Sequence, residues 1–187
     1  MNQKISTKRI AMAGLLAALT CVGSMLRITV LVDLVGTSSI HLGNIFCALS
    51  GLLLGPGMGG LAAGLGSAIY DMTNPLYIGE AWLTFLMKGA YGLVAGLVAV
   101  SFQKKTSYFP ALIASVSGAV TYALLYLAKT YFYSGLLIHG LTHEGALLSL
   151  ISKLPATFFN AGVAIVAAPI LAVALQKALS RSHLILE

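Results

Sequence analysis

The chain has 187 residues, 58% of them hydrophobic and only 9% charged, with a mean hydropathy of +0.93; water-soluble domains carry about 25% charged residues, so a soluble globular domain is excluded. The formal charge of +6 does not point to nucleic acid, because the basic residues sit in short clusters at the ends of apolar runs, where they set membrane topology. Cys21 and Cys47 both lie inside apolar stretches and indicate no disulfide framework.

At about 20 residues per crossing, the length allows six or seven transmembrane helices. The N-terminal MNQKISTKRI followed by AMAGLLAALTCVGSML has the look of a secretory signal, but everything downstream is equally apolar. A first span over Ile10 to Leu26, closed by Arg27, is therefore expected. Helix 1 carries a small-residue stripe, Ala13 with Ala17 and Gly14 with Ala18; it suits either packing within the bundle or a flat docking face for another membrane subunit.

The polar stretch from Val35 to His41 is expected as an outer loop leading into a second span, Leu42 to Leu54, with Asn44 one turn after His41. Gly55-Pro56-Gly57 then favours a tight reversal into a third short span, Met58 to Tyr70. A formal G-x-G-x-x-G from Gly55 to Gly60 lacks the preceding strand that a dinucleotide site needs. Gly55, Gly59 and Ala63, and likewise Gly60, Gly64 and Ala68, instead recur every four residues, as close helix packing requires. The loop around Asp71 and Tyr77 leads to a fourth span, Ala81 to Phe102. The fifth is expected over Tyr108 to Phe132 and the sixth over Ala146 to Gln176, with Pro155 and Pro169 bending it or its ends lying outside the bilayer.

With six crossings, Lys4, Lys8, Arg9, Lys104, Lys105, Lys177 and Arg181 all fall on one side, while Asp33, Asp71, Glu80 and Glu144 fall on the other. The positive-inside rule makes the first side cytoplasmic. The expectation is one all-α domain over residues 1–187, a multi-pass protein of the cell membrane with six transmembrane helices and both termini in the cytoplasm.

Polar groups inside spans are costly and mark function. Lys88, Lys129 and Lys153 come from three different helices, yet at 1.5 Å per residue all fall within roughly 10 Å of the outer surface. Each alone suits snorkelling; together, with Asp71 and Glu80 on the same side, they predict a polar cavity open to the outside. Helical periodicity groups Thr84, Lys88 and Tyr91 on one face, Tyr122, Tyr126, Lys129 and Tyr133 on another, and Ser149, Lys153, Thr157 and Asn160 on a third. Tyr77, Trp82 and Tyr133 lie where an interfacial aromatic belt would, whereas Tyr122 and Tyr126 are deep enough to stack on a ligand. The candidate substrate-binding set is thus His41, Asn44, Asp71, Tyr77, Trp82, Lys88, Tyr91, Tyr122, Tyr126, Lys129, Lys153 and Asn160, with Ala13, Gly14, Ala17 and Ala18 as candidate partner contacts. His139 and His143 lack the glutamate placement of H-E-x-x-H, so neither a metal site nor a catalytic residue is assigned.

The stretch from Ile40 to Gly96, IHLGNIFCALSGLLLGPGMGGLAAGLGSAIYDMTNP followed by a span containing LMKGAYGLVAG, resembles the membrane-embedded S components of energy-coupling-factor (ECF) transporters. The helix-1 stripe Ala13-Gly14-Leu15-Leu16-Ala17 is similar to their A-x-x-x-A feature. That resemblance implies a six-helix subunit that captures a vitamin or related micronutrient from outside. It also implies assembly with a transmembrane T component, contacted through Ala13 and Ala17, and with two cytoplasmic ATPases, delivery being by toppling in the bilayer. ATP and magnesium would belong to those ATPases, since this chain has no Walker A sequence. The many small residues in helices 2 and 3 would tolerate a wide cavity, which leans slightly towards cobalamin as substrate; pyridoxine, thiamine precursors, pantothenate and folate stay open. Two other classes stand beside this reading. Gly64-Leu65-Gly66-Ser67 resembles the serine signature of intramembrane hydrolases, although Ala68 stands where a glycine is expected, and a membrane assembly subunit without a ligand would share the same spans.

Overall fold

The computed structural model describes residues 6–33, 36–102 and 107–181. Lys4, Val35, Lys104 and Lys105, on which part of the topology and loop readings rest, lie outside them.

Ser6 caps the first helix, α1 (Thr7–Met25), its hydroxyl accepting from the Arg9 amide at 3.3 Å. The segment expected as a loop after it is an antiparallel hairpin, β1 (Arg27–Asp33) with β2 (Gly36–His41), pairing Arg27 with His41 and Thr29 with Ser39. The β-branched run Ile28-Thr29-Val30 favours a strand, and a seven-residue strand is invisible to a search for span-length apolar runs. The hairpin replaces the expected loop in one connection, and the all-α reading holds for the rest of the described chain.

The α2 helix (Gly43–Leu54) ends at Gly55, whose φ of +77° suits glycine, and Pro56 opens α3 (Pro56–Thr73). The two form the expected short hairpin: a Cβ on Gly59 would fall 2.6 Å from the Ser50 carbonyl oxygen, and further from the turn the Cys47 thiol meets the Ser67 hydroxyl at 3.7 Å. Arg9 donates to the Leu54 carbonyl at 2.7 Å, satisfying a terminal acceptor of α2 with a cation at the negative end of the helix. After a 3-10 turn (Ile78–Glu80) come α4 (Ala81–Ser101) and α5 (Tyr108–Ala128). The α5 helix continues into a ten-residue π-helical segment, Lys129–Ile138. The last helix, α6 (His143–Arg181), runs unbroken through Pro155 and Pro169 for 39 residues, about 58 Å at 1.5 Å per residue.

Among the described residues, four stretches are long and apolar enough to cross a membrane: Thr7–Met25, Ile78–Ser101, Tyr108–Ile138 and His143–Arg181. The α2 helix, at 12 residues, reaches only about 18 Å against a hydrocarbon layer of about 30 Å. The core is built from small side chains, with Ala48, Ala63, Ala95, Ala114, Ala164 and Ala168 all at 0% exposure, so the helices approach closely. The glycine stripes act here: Gly60 would clash with the Gly89 carbonyl oxygen at 2.9 Å and Gly92 with that of Gly59 at 2.7 Å if either carried a Cβ. Of the helix-1 stripe, Ala13 and Ala17 lean on the core, while Gly14 has nothing within 4 Å and, like Ala18, faces outward.

Candidate functional site

One end of the bundle gathers the C-terminal ends of α1, α3 and α5 and the N-terminal ends of α2, α4 and α6. A cavity of about 400 Å3 opens there, roofed by the hairpin and by the 3-10 turn. Lys8, Arg9, Lys177 and Arg181 belong to the opposite end, where α1 starts and α6 finishes.

The three lysines singled out by depth all line this cavity. Lys88 is 4% exposed; its ammonium donates to the Asn44 Oδ1 and sits 3.8 Å above the Tyr122 ring centroid. Lys129 pairs with Glu80 at 2.5 Å, and the other Glu80 oxygen accepts from the Ser134 hydroxyl at 3.3 Å. Lys153 is buried in the α6 wall with Thr157. Tyr126 and Tyr122 line the cavity and continue downward as a ladder: Tyr126 to Tyr122 is 5.9 Å between centroids at 26°, and Tyr122 to Tyr91 is 5.8 Å at 18°. Tyr91 is fully buried beneath them and does not reach the cavity.

Other predicted residues are occupied structurally. Asn160 is spent on the roof: its Oδ1 accepts from the His41 amide at 2.9 Å and its Nδ2 donates to the Ser39 carbonyl at 2.8 Å, clasping β2 to α6. Asn44 holds Lys88 from outside the lining. Trp82 is 56% exposed, packs edge-on against Tyr133 and stands apart from the cavity, as an interfacial belt residue would. Asp71 lines the cavity beside Thr84. The Gly43 amide donates to His41 Nδ1 at 3.2 Å, so the neutral ring carries its proton on Nε2. Burial, with Lys88 and Arg27 nearby, holds this imidazole well below its ordinary range, which keeps it neutral at pH 7.

The largest omission from the sequence-derived set is Arg27. Its guanidinium donates to the hydroxyls of Tyr70, Tyr77 and Ser39, the last at 2.6 Å, and lies 4.6 Å from the Tyr77 ring centroid. Tyr77 also bonds Thr37 at 2.9 Å, so the α3–α4 connection is stitched to the hairpin. His139 lines the cavity with its Nδ1 on the Ser134 carbonyl, whereas His143 pairs with Tyr131. Ser67 lines the cavity too, but its hydroxyl meets the Cys47 thiol, and among the described residues no histidine forms a hydrogen bond with it.

Chemically the cavity is rich in donors. Of the carboxylates among its described lining residues, Glu80 is paired with Lys129 and Asp71 stands beside Thr84, while Arg27 and Lys88 meet neutral oxygens. Aromatic faces beside such donors suit a planar ligand with several acceptor atoms.

Apolar helices surrounding a polar, aromatic cavity at one end make a membrane-embedded helical fold with one deep polar recess. The family model described as "ECF-type riboflavin transporter, S component" matches residues 4–177, and the chain belongs to that family. S components are substrate-binding subunits of transporters and work in complexes with a T component and ATPases. The chain is also similar to an "Uncharacterized protein in gap 3'region" of Pyrococcus woesei, at 33% identity over 97 residues, 51% of this chain and 62% of that protein. The match thus spans less than two thirds of that relative.

Proposed function

We propose that this chain captures riboflavin from outside the cell and presents it to an ECF transport complex. The observation that carries the reading is the cavity: about 400 Å3, with Tyr122 and Tyr126 for ring stacking and Lys88, His41 and Arg27 as donors, in a chain of the riboflavin S-component family. The volume suits a drug-sized molecule such as a tricyclic flavin, whose ring carbonyls and ribityl hydroxyls match a donor-rich wall. Cobalamin is several times bulkier, and the family match gives it no support. The positive-inside rule favours a cytoplasmic place for the basic end formed by Lys8, Arg9, Lys177 and Arg181, which would turn the cavity outward.

Titrating the detergent-purified protein with riboflavin, read by quenching of flavin fluorescence, tests this. One flavin should bind per chain, with cobalamin, pyridoxine, thiamine, pantothenate and folate failing to compete. Absence of riboflavin binding, or displacement by cobalamin, contradicts the reading.

Assembly with the T component is assigned to the outward face of α1. Ala13 and Ala17 lean on the core, so Gly14 and Ala18 offer the free small-residue surface. Gly14→Leu with Ala18→Leu is expected to reduce co-purification of the T component while leaving riboflavin titration unchanged. Normal assembly of that variant would exclude this face as the docking surface.

A further inference from the structure

The Glu80 carboxylate reaches two residues five positions apart, Lys129 through one oxygen at 2.5 Å and Ser134 through the other at 3.3 Å. Five residues of α-helix sweep about 500°, leaving two such side chains roughly 140° apart around the cylinder. That separation sets the two side chains on different sides of the helix and works against a shared carboxylate. A π-helix closes i→i+5 hydrogen bonds and brings positions i and i+5 onto one face, and the segment is π-helical from Lys129 to Ile138. The His139 amide continues the pattern to the Ser134 carbonyl at 3.0 Å, and the His139 ring bonds the same oxygen at 2.7 Å. Ser134 is therefore tied to Glu80 through its hydroxyl and to His139 through its carbonyl.

We propose that Glu80 is a positioning residue for the ligand cavity: by bridging Lys129 and Ser134 it selects the π winding of residues 129–138 and so aims Lys129 and His139 at the ligand. Runs of π-helix beyond a single turn are rare, so this one needs a contact that α geometry works against, and the Glu80 bridge is such a contact. Without it the segment rewinds towards α geometry, turning His139 away from the cavity wall. The inference rests on the ligand-binding reading above and adds a part to it.

The test joins a geometric readout to a binding one. Spin labels at Leu137 and Ile151, which are 72% and 52% exposed, report the distance between the π segment and α6. Glu80→Ala is expected to shift or broaden that distance distribution and to speed riboflavin release by about tenfold or more, the loss of a charge-assisted contact. Glu80→Gln, whose amide oxygen can still accept from Lys129 while its NH2 donates to the Ser134 hydroxyl, should retain the wild-type distribution. The release rates of Glu80→Ala and Ser134→Ala should combine non-additively, which a general loss of stability would not produce. Should Glu80→Ala not fold, Lys129→Met with Ser134→Ala removes the same bridge from the other side and should give the same shift. An unchanged distribution on removing the bridge overturns the proposal. If wild type binds no riboflavin but the distribution still shifts, the flavin reading falls while the role of Glu80 in setting the winding stands.

Discussion

Replacing Lys88 by methionine is expected to weaken riboflavin binding about 10- to 100-fold, the equivalent of one charge-assisted hydrogen bond. Methionine retains much of the stem, so the cavity keeps its shape while the ammonium above Tyr122 disappears. Two effects oppose each other in stability. The Asn44 Oδ1 loses the donor it holds in the buried interior, at a cost of about 1–3 kcal/mol, while the desolvation of a buried cation is relieved. Binding therefore changes far more than melting, and flavin titration alongside thermal unfolding in detergent separates the two. Unaltered affinity would make Lys88 a structural cation and move recognition to the Arg27 and Lys153 sides of the cavity.

Gly92→Leu is expected to lower the melting temperature sharply and to abolish flavin binding with it. A Cβ at this position would stand 2.7 Å from the Gly59 carbonyl oxygen and 3.0 Å from the Ala63 Cβ. Both obstacles belong to the body of α3, so the helices must separate. Overpacking of this kind costs about 1–3 kcal/mol for modest insertions, and a leucine in a backbone-to-backbone contact exceeds a modest insertion. Binding falls too because α3 carries Asp71 and α4 carries Thr84 and Lys88, and these groups meet only while the two helices touch. Gly162→Ala, with nothing within 4 Å of the added carbon, is the control and should leave melting unchanged. Equal melting of the two variants would show that the α3–α4 contact does not hold the bundle together.

Much of the cavity was legible in the sequence because its walls are α-helical. Lys88, Lys129 and Lys153 share one depth in the bilayer, and three- and four-residue spacing puts Tyr122 and Tyr126 on the face of Lys129. Arg27 was hidden for a different reason: a single cation at the end of an apolar run reads as a span boundary, and only the hairpin reveals that it faces Tyr70 and Tyr77. Asn44 and Asn160 were found by periodicity, but their partners, 44 and 119 residues distant, are tertiary facts. The π segment was illegible because a 3.6-residue period assigns Lys129 and Ser134 to different faces. The small-residue stripes predicted close packing but not its partners; Gly59 and Gly60 turned out to be wedged against α2 and α4.

The clasp between Asn160 and the strand at Ser39 and His41 joins the first third of the chain to its last helix. Ribosomal synthesis delivers these pieces in order, so the early strands emerge long before the residue that will fasten them. Until α6 is threaded into the bilayer, Asp71 and Lys88 lack one wall of their shelter. A nascent chain stalled before Asn160 is consequently an open vessel, and completion of the last helix is the moment at which the vessel acquires its cover.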